Sequence, residues 1–214
     1  KIYNFKQQFL NLGLMKIFYR FYLLILFLPS VVTADAISLE KLTLYINNIK
    51  TLEANFEQIN NDNSVSTGSL LIKKPGKLRM KYEEPNESVV LVSSGLVTIF
   101  DLKSNAPPQK FALENLPFRV LLLSDLSLEM VNMGVNYDSE ESKTILTVKD
   151  MKNQNEGYIE ITFTHNPIVL EQWLLVNSME EKIIVKLTNV SLGGNMSNSL
   201  FDATLELEKI KNNR

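Results

Sequence analysis

Short segments of strand-like alternation, separated by tight turns, make up most of this chain of 214 residues. The clearest example is Gly68–Pro85, in which two such segments meet at Pro75-Gly76, a common turn sequence. About ten or eleven candidate strands follow one another, and most of their connections are too short to contain a crossover helix. The pattern therefore predicts a mainly β protein with antiparallel strand pairing.

Two segments have a helical pattern instead. Ser38 is a typical N-cap, and the apolar residues after it recur at three- and four-residue steps up to about Lys50: Leu39, Leu42, Ile46 and Ile49. The second helix should begin at Pro117 and run to about residue 124, with apolar side chains on nearly every side. Residues 205–214 fit either a terminal strand or a frayed helix.

The composition argues against several kinds of chemistry. The chain has no cysteine, so it can form no disulfide, thiolate metal site or cysteine-linked lipid anchor. Its one histidine, His165, precedes Asn166-Pro167 in a predicted surface turn, and one histidine cannot build a His-rich metal site. No G-x-S-x-G elbow or glycine-rich phosphate loop is present. We expect no catalytic residue, metal or cofactor, and the net charge of -2 gives no indication of nucleic-acid binding.

Residues 1–34 have the layout of a secretory signal peptide. A short basic stretch precedes the apolar run Phe21–Leu28, and small residues then lead to an expected cleavage site near Ala34. A retained membrane anchor is the alternative, but the run is shorter than the roughly 20 apolar residues that a spanning helix needs.

Met15 is the expected true start, so residues 1–14 are interpreted as an upstream extension. The mature domain is then 35–214. We expect it to be an exported, periplasmic and monomeric protein.

Apolar residues on both faces of the strands pose a packing problem. In one strand Leu70 and Ile72 share a face and Leu71 takes the other, while Leu78, Met80 and Tyr82 share a face of the next strand. The sheet can fold on itself as a sandwich, or it can curve and leave an apolar face that two helices only partly cover. Composition alone favours the sandwich, whereas the curved sheet would leave a cavity suited to an apolar guest.

A resemblance to a known family favours the curved sheet. The segment Gly68–Leu102 resembles the LolA family of lipoprotein carriers in an ordered set of matches: Lys73-Lys74-Pro75-Gly76, Lys77-Leu78-Arg79-Met80, Tyr82, Pro85, Ser93-Ser94-Gly95 and Phe100-Asp101. The sequence "LEANFEQ", 52–58, is similar to the family's first strand, "LPFRVLLL", 116–123, to its lid helix, and "NSLFD", 198–202, weakly to its C-terminal motif. The resemblance covers most of 37–202 and is densest over 68–124.

The resemblance implies a fold and a non-enzymatic function. The fold would be a curved, unclosed antiparallel sheet, or half-barrel, with an N-terminal helix and a short lid helix over a hydrophobic cavity. Members of the family accept triacylated lipoproteins from an inner-membrane ABC transporter complex of the LolCDE type. They pass them through the periplasm to an outer-membrane acceptor of the LolB type. An envelope-stress sensor or another lipid-binding module on the same fold is the alternative, and the missing motifs disfavour a lipid hydrolase.

The resemblance also suggests which residues bind the guest. The expected cavity lining is Leu71, Leu78, Met80, Tyr82, Val90, Val92 and Ile99, and the expected lid residues are Phe118, Leu121 and Leu122. Lys74 replaces the arginine that latches the family's lid, so the latch should be weaker or rebuilt, because an ammonium lacks the planar fork of guanidinium. Arg79, of opposite parity, is expected to be a solvated or sheet-edge charge.

Overall fold

The computed structural model of the protein describes residues 37–126, 133–140, 142–150 and 157–213. The predicted signal peptide lies outside these residues. The strands are β1 Thr51–Ile59, β2 Val65–Lys73, β3 Lys77–Tyr82, β4 Ser88–Ser93, β5 Leu96–Asp101, β6 Gln109–Ala112, β7 Met133–Glu140, β8 Lys143–Asp150, β9 Tyr158–Thr164, β10 Val169–Val176 and β11 Lys182–Leu192. The helices are α1 Leu39–Asn48, α2 Ala203–Asn212, and the 3-10 helices Leu113–Asn115, Pro117–Leu122 and Asn198–Phe201.

The strands form one antiparallel sheet in the order β6-β5-β4-β3-β2-β1-β11-β10-β9-β8-β7. Neighbours in the sheet are also neighbours in sequence except at the centre, where β1 pairs with β11. The edge strands β6 and β7 lie at opposite ends of this order, so the sheet is unclosed. This confirms the predicted mainly β, unclosed antiparallel architecture.

The sheet is strongly curved. Ile72 of β2 and Phe163 of β9 border the same small space beside Ile46 of α1, although three strands lie between β2 and β9. Neighbouring strands are about 4.8 Å apart, so a flat sheet would separate β2 from β9 by roughly 19 Å. We call the face that bears Ile72 and Phe163 the concave face and the opposite one the convex face.

The strand register assigns side chains to these two faces, because cross-strand partners point to the same side. One row on the concave face contains Leu70, Met80, Val90 and Ile99, in β2 to β5. The neighbouring row, on the convex face, contains Leu71, Arg79, Leu91 and Thr98. Helix α1 and the 3-10 helix Pro117–Leu122 pack on the concave face in one large core.

Helix α1 confirms the N-terminal helix prediction. Its N-cap is Ser38, whose side chain accepts a hydrogen bond from the backbone N–H of Lys41 at 3.3 Å. Leu42 and Ile46 lie on its buried side. The predicted stripe of apolar residues is therefore the side of the helix that packs on the sheet.

The C-terminal residues form a helix, which settles the choice that the sequence left open. Asp202 caps α2 by accepting hydrogen bonds from the backbone N–H groups of Thr204 and Leu205. The helix packs on the convex face in a second, smaller cluster: Val89, Leu91, Phe100, Leu102, Ala203, Leu207 and Ile210. The convex face of β4 and β5 is thus covered as well.

The expectation for Arg79 is wrong. Its two terminal nitrogens donate to the two carboxylate oxygens of Glu206 in α2, each at 2.8 Å, and the side chains are only 15% and 7% exposed. Arg79 also donates to the carbonyl oxygen of Leu200 at 3.3 Å. The physical reason is that α2 covers this part of the convex face, so the guanidinium is paired with a buried carboxylate instead of being solvated.

Candidate functional site: the concave face and its covers

The concave face holds six of the seven residues expected to line a cavity. Leu78, Met80 and Val92 are buried there, while Tyr82, Val90 and Ile99 are half-buried. The three buried residues belong to the large core, and the three half-buried residues pack against it. Burial on this face therefore decreases towards the Tyr82 end of β3.

Leu71 is the exception, and its assignment is corrected. Its cross-strand partners are Glu53 and Arg79, so it lies on the convex face. Successive side chains in a strand point to opposite faces, and Leu70 and Ile72 occupy the concave positions on either side of it.

The other half of the concave face comes from strands that contributed no residue to the expected lining. Leu146, Ile161, Trp173 and Val185 form one cross-strand row from β8 to β11, and all four are buried. Period-two alternation within β8 and β9 was the signal that could have identified two of these positions, Leu146 and Ile161. The apolar surface is therefore continuous across the central β1–β11 pair.

The concave side is filled by the protein's own side chains around α1. A small space of about 10 Å³ remains there, which is close to the minimum for one water molecule. It is bordered by Ile46, Ile49, Leu52, Ile72, Lys74, Leu121, Phe163 and Leu170. The cavity inferred from the sequence is thus occupied at this place by side chains of α1 and of the segment around Leu121.

That segment, Pro117–Leu122, is called the lid segment below. It is a 3-10 helix and ends two residues earlier than expected. Leu121 and Leu122 are buried in the core, and Phe118 is half-buried against it. A 3-10 helix has poorer hydrogen-bond geometry than an α-helix, so its position depends largely on its contacts with the sheet.

Two polar contacts fix the lid segment to the sheet. The backbone N–H of Gly76 donates to the carbonyl oxygen of Leu122 at 2.9 Å. Gly76 has a φ of +68°, which favours glycine in this turn. Arg119 forms an ion pair with Asp150 of β8 at 3.1 Å.

Helix α1 is fixed by side-chain hydrogen bonds on different sides. The Nζ of Lys74 donates to the carbonyl oxygen of Ile46 at 2.8 Å. The Tyr45 hydroxyl accepts from the backbone N–H of Leu170 at 3.1 Å, at a β-bulge in β10. The Asn47 side chain donates to Asp125 at 2.8 Å and accepts from the backbone N–H of Leu126 at 2.9 Å. Asn47 thereby ties α1 to the chain just after the lid segment.

The latch predicted at Lys74 thus has a different partner from the one expected. The hydrogen bond from its ammonium goes to α1, while Gly76, two residues later, holds the lid segment through the backbone. One turn, Lys74-Pro75-Gly76, therefore contacts both covers of the concave face. Whether this contact controls opening remains a prediction.

Burial changes the electrostatics of two groups on this face. Burial and, to a smaller extent, the nearby charge of Lys50 together lower the pKa of Lys74 to about 8. Burial raises the pKa of Tyr82 to about 12. The Tyr82 hydroxyl donates to Gln58 at 2.7 Å, and its ring meets that of Phe56 edge-on at 5.0 Å.

Among the described residues, no group of three or more His, Cys, Asp or Glu side chains could hold a metal ion. His165 lies in the turn after β9, half-buried rather than freely exposed, with its Nε2 2.8 Å from the Thr144 hydroxyl. None of the helices in the described ranges has the length and apolar character needed to span a bilayer.

Residues 47–204 match the family model described as outer membrane lipoprotein carrier protein LolA. The chain belongs to the LolA family. The matched range begins in α1 and ends in α2, so it contains every strand of the sheet and the lid segment. The resemblance inferred from Gly68–Leu102 is confirmed.

The individual relatives of this chain are distant from it in sequence. A protein named outer-membrane lipoprotein carrier protein from Coxiella burnetii is 22% identical over 185 residues, which are 82% of this chain and 86% of the relative. One of the same name from Legionella pneumophila is 28% identical over 159 residues, or 70% and 78%. A solved LolA superfamily protein from Nitrosomonas europaea has 8% identity and a TM-score of 0.45, with 79% of this chain and 99% of that chain covered.

Proposed function

We propose that this protein is a periplasmic, non-enzymatic carrier of lipoproteins. It accepts their acyl chains from an inner-membrane ABC transporter complex of the LolCDE type and delivers them to an outer-membrane acceptor of the LolB type. The observation that carries the proposal concerns the broad, curved apolar face of the sheet. This face is covered by a short 3-10 segment and a ten-residue helix rather than by a second sheet. Membership of the LolA family supports it.

The energetics explain why such a carrier needs a covered apolar face. Each acyl CH2 removed from water gains about 0.8 kcal/mol, so three chains together are worth on the order of tens of kcal/mol. A lipoprotein therefore cannot cross an aqueous compartment unprotected. Its donor and acceptor environments are also apolar, so each transfer involves only the small difference between two apolar surroundings.

The lid segment and α1 supply the movement that loading requires. In this structure Leu121 and Ile46 occupy the space beside Ile72 and Phe163. Entry of acyl chains displaces these covers, and the hydrogen bonds of Gly76 and Lys74 close them again when the guest leaves. The apolar side chains of the covers thus take the place of the guest in the empty protein.

The test is the formation of a soluble complex with a triacylated lipoprotein. We expect Ile99→Glu and Leu78→Glu to abolish the complex, because a carboxylate on the concave face disfavours acyl chains. Leu96→Glu is the matched control, since Leu96 lies in the same strand as Ile99 but on the convex face and is already 45% exposed. Far-UV circular dichroism and urea denaturation identify variants that are merely unfolded.

Two results would contradict the proposal. One is that the wild-type protein never holds the lipoprotein in solution. The other is that a folded Ile99→Glu variant forms the complex as well as Leu96→Glu does.

A further inference from the structure

The concave face is apolar over most of its area, but two polar side chains meet at its less buried end. Tyr82 of β3 and Gln58 of β1 are both half-buried, and the tyrosine hydroxyl donates to the Gln58 amide oxygen at 2.7 Å. Strand β2 lies between them. We call this pair of side chains the polar pair.

Gly68 of β2 makes this contact possible. It is the cross-strand partner of both Phe56 and Tyr82, and having no side chain it leaves room for their rings to meet at 5.0 Å. A Cβ on Gly68 would lie 2.8 Å from the Phe56 ring. The missing side chain therefore allows Tyr82 to reach across β2 to Gln58.

The hydrogen bonds fix the orientation of the Gln58 amide. Its oxygen accepts from Tyr82, and its nitrogen donates to Asn60 at 2.7 Å; Asn60 in turn donates to the Ser64 hydroxyl at 2.9 Å. A glutamine amide has two N–H donors, so the bond to Asn60 uses one of them. The second is held in place and can donate to a carbonyl oxygen.

The position of the polar pair matches one part of an acylated guest. On the same face, towards β4 and β5, lie the half-buried apolar side chains of Val90 and Ile99. In the other direction lies the polar turn between β1 and β2, with Asn60 and Ser64. The polar pair thus lies at the boundary between the apolar and the polar surface of the protein. In an acyl group, the ester or amide carbonyl likewise lies between the hydrocarbon chain and the polar head.

We propose that Gln58 is a carbonyl-binding residue: its amide N–H donates to an ester carbonyl oxygen of the bound acyl chains, and Tyr82 is the positioning residue that holds the Gln58 amide. The inference rests on the proposed carrier function and narrows its ligand. The site would distinguish ester-linked acyl chains from ether-linked hydrocarbon chains, which lack the carbonyl.

The test compares two synthetic lipopeptides that differ only in this carbonyl. One has a cysteine-linked glyceryl group with two ester-linked palmitoyl chains, and the other has ether-linked hexadecyl chains at the same positions. We expect the wild-type protein to bind the ester roughly three- to tenfold more tightly, the range for one net hydrogen bond. Gln58→Leu should abolish this preference and Tyr82→Phe should reduce it.

Gln172→Leu is the matched control. Gln172 is a half-buried glutamine next to Trp173 in β10, so it points to the convex side, and the variant should keep the wild-type preference. The preference is a ratio of two affinities, so a general loss of stability does not alter it. Equal affinity of the wild-type protein for both probes, or an unchanged preference in Gln58→Leu and Tyr82→Phe, would overturn the inference. If the wild-type protein binds neither probe, the carrier function itself fails, and the subsite with it.

Discussion

The Nζ atom of Lys74 donates a hydrogen bond of 2.8 Å to the carbonyl oxygen of Ile46, near the C-terminal end of α1. Carbonyl groups in the last turn of a helix carry a partial negative charge, which favours a cation at this place. Burial opposes the charge and lowers the pKa of Lys74 to about 8. The contact between α1 and the β2–β3 turn should therefore depend on pH.

The pH dependence has a defined sign. Because the folded-state pKa of Lys74 is about 8 and its ordinary value is 10.5, the unfolded chain binds more protons than the folded one between these values. The free energy of unfolding should thus rise with pH across this window, relative to Lys74→Met. Urea denaturation from pH 7 to pH 10 measures the difference. Lys74→Arg stays charged throughout, so its free energy of unfolding should also lack this rise with pH. If the free energy of unfolding of the wild type and of Lys74→Met changed with pH in parallel, the account would be contradicted.

The Arg79–Glu206 ion pair should stabilise the attachment of α2 to the convex face. Removing Arg79 leaves the buried carboxylate of Glu206 without its bidentate partner, and the exposed Lys209 at 3.9 Å replaces little of that contact. We therefore expect Arg79→Met to lower the free energy of unfolding by about 3 kcal/mol. The double variant Arg79→Met/Glu206→Leu should cost less than the sum of the two single changes. Urea denaturation of all four proteins provides the measurement.

An exposed ion pair is the control for this cycle. Glu57 and Lys186 are 3.7 Å apart and about half exposed, so Glu57→Gln should change the free energy of unfolding by about 0.5 kcal/mol or less. Strict additivity in the Arg79–Glu206 cycle would show that the two side chains do not act as a pair.

Gly68 should tolerate no larger residue. In Gly68→Ala the new Cβ would collide with the backbone oxygen of Lys81 and lie 2.8 Å from the Phe56 ring, so we expect a loss of roughly 1–3 kcal/mol in the free energy of unfolding. At Gly194 an added Cβ meets no atom within 4 Å, so Gly194→Ala should change the free energy of unfolding by no more than about 0.5 kcal/mol. Thermal denaturation compares the two, and equal stability would contradict the close contact at Gly68.

The elements predicted correctly from the sequence are those determined by local signals. Ser38 and the apolar stripe behind it specify α1, and the Pro75-Gly76 dipeptide specifies the turn between β2 and β3. Period-two alternation places Leu78 and Met80 on one face regardless of what covers them. The fold class followed from the same patterns together with the resemblance in Gly68–Leu102.

What the sequence did not determine depends on distant contacts. The Leu205-Glu206-Leu207-Glu208 alternation imitates a strand, although the Asp202 cap and the three-residue step from Leu207 to Ile210 indicate a helix. Arg79 finds its partner 127 residues later in the chain, which strand parity alone cannot reveal. The sequence also did not show that Lys74 donates to α1 while Gly76 donates to the lid segment, because these contacts depend on how α1 and the lid segment pack together.

Trp173 provides the most direct test of whether acyl chains occupy the concave face. It is the one tryptophan of the chain, 3% exposed and in register with Ile161 and Val185 on that face, so it is the source of all tryptophan fluorescence. We predict that a lipopeptide with brominated acyl chains quenches this fluorescence to a plateau as the complex forms, whereas the same lipopeptide without bromine does not. A complex that is stable in gel filtration but shows no bromine-dependent quenching would place the chains elsewhere and contradict the account.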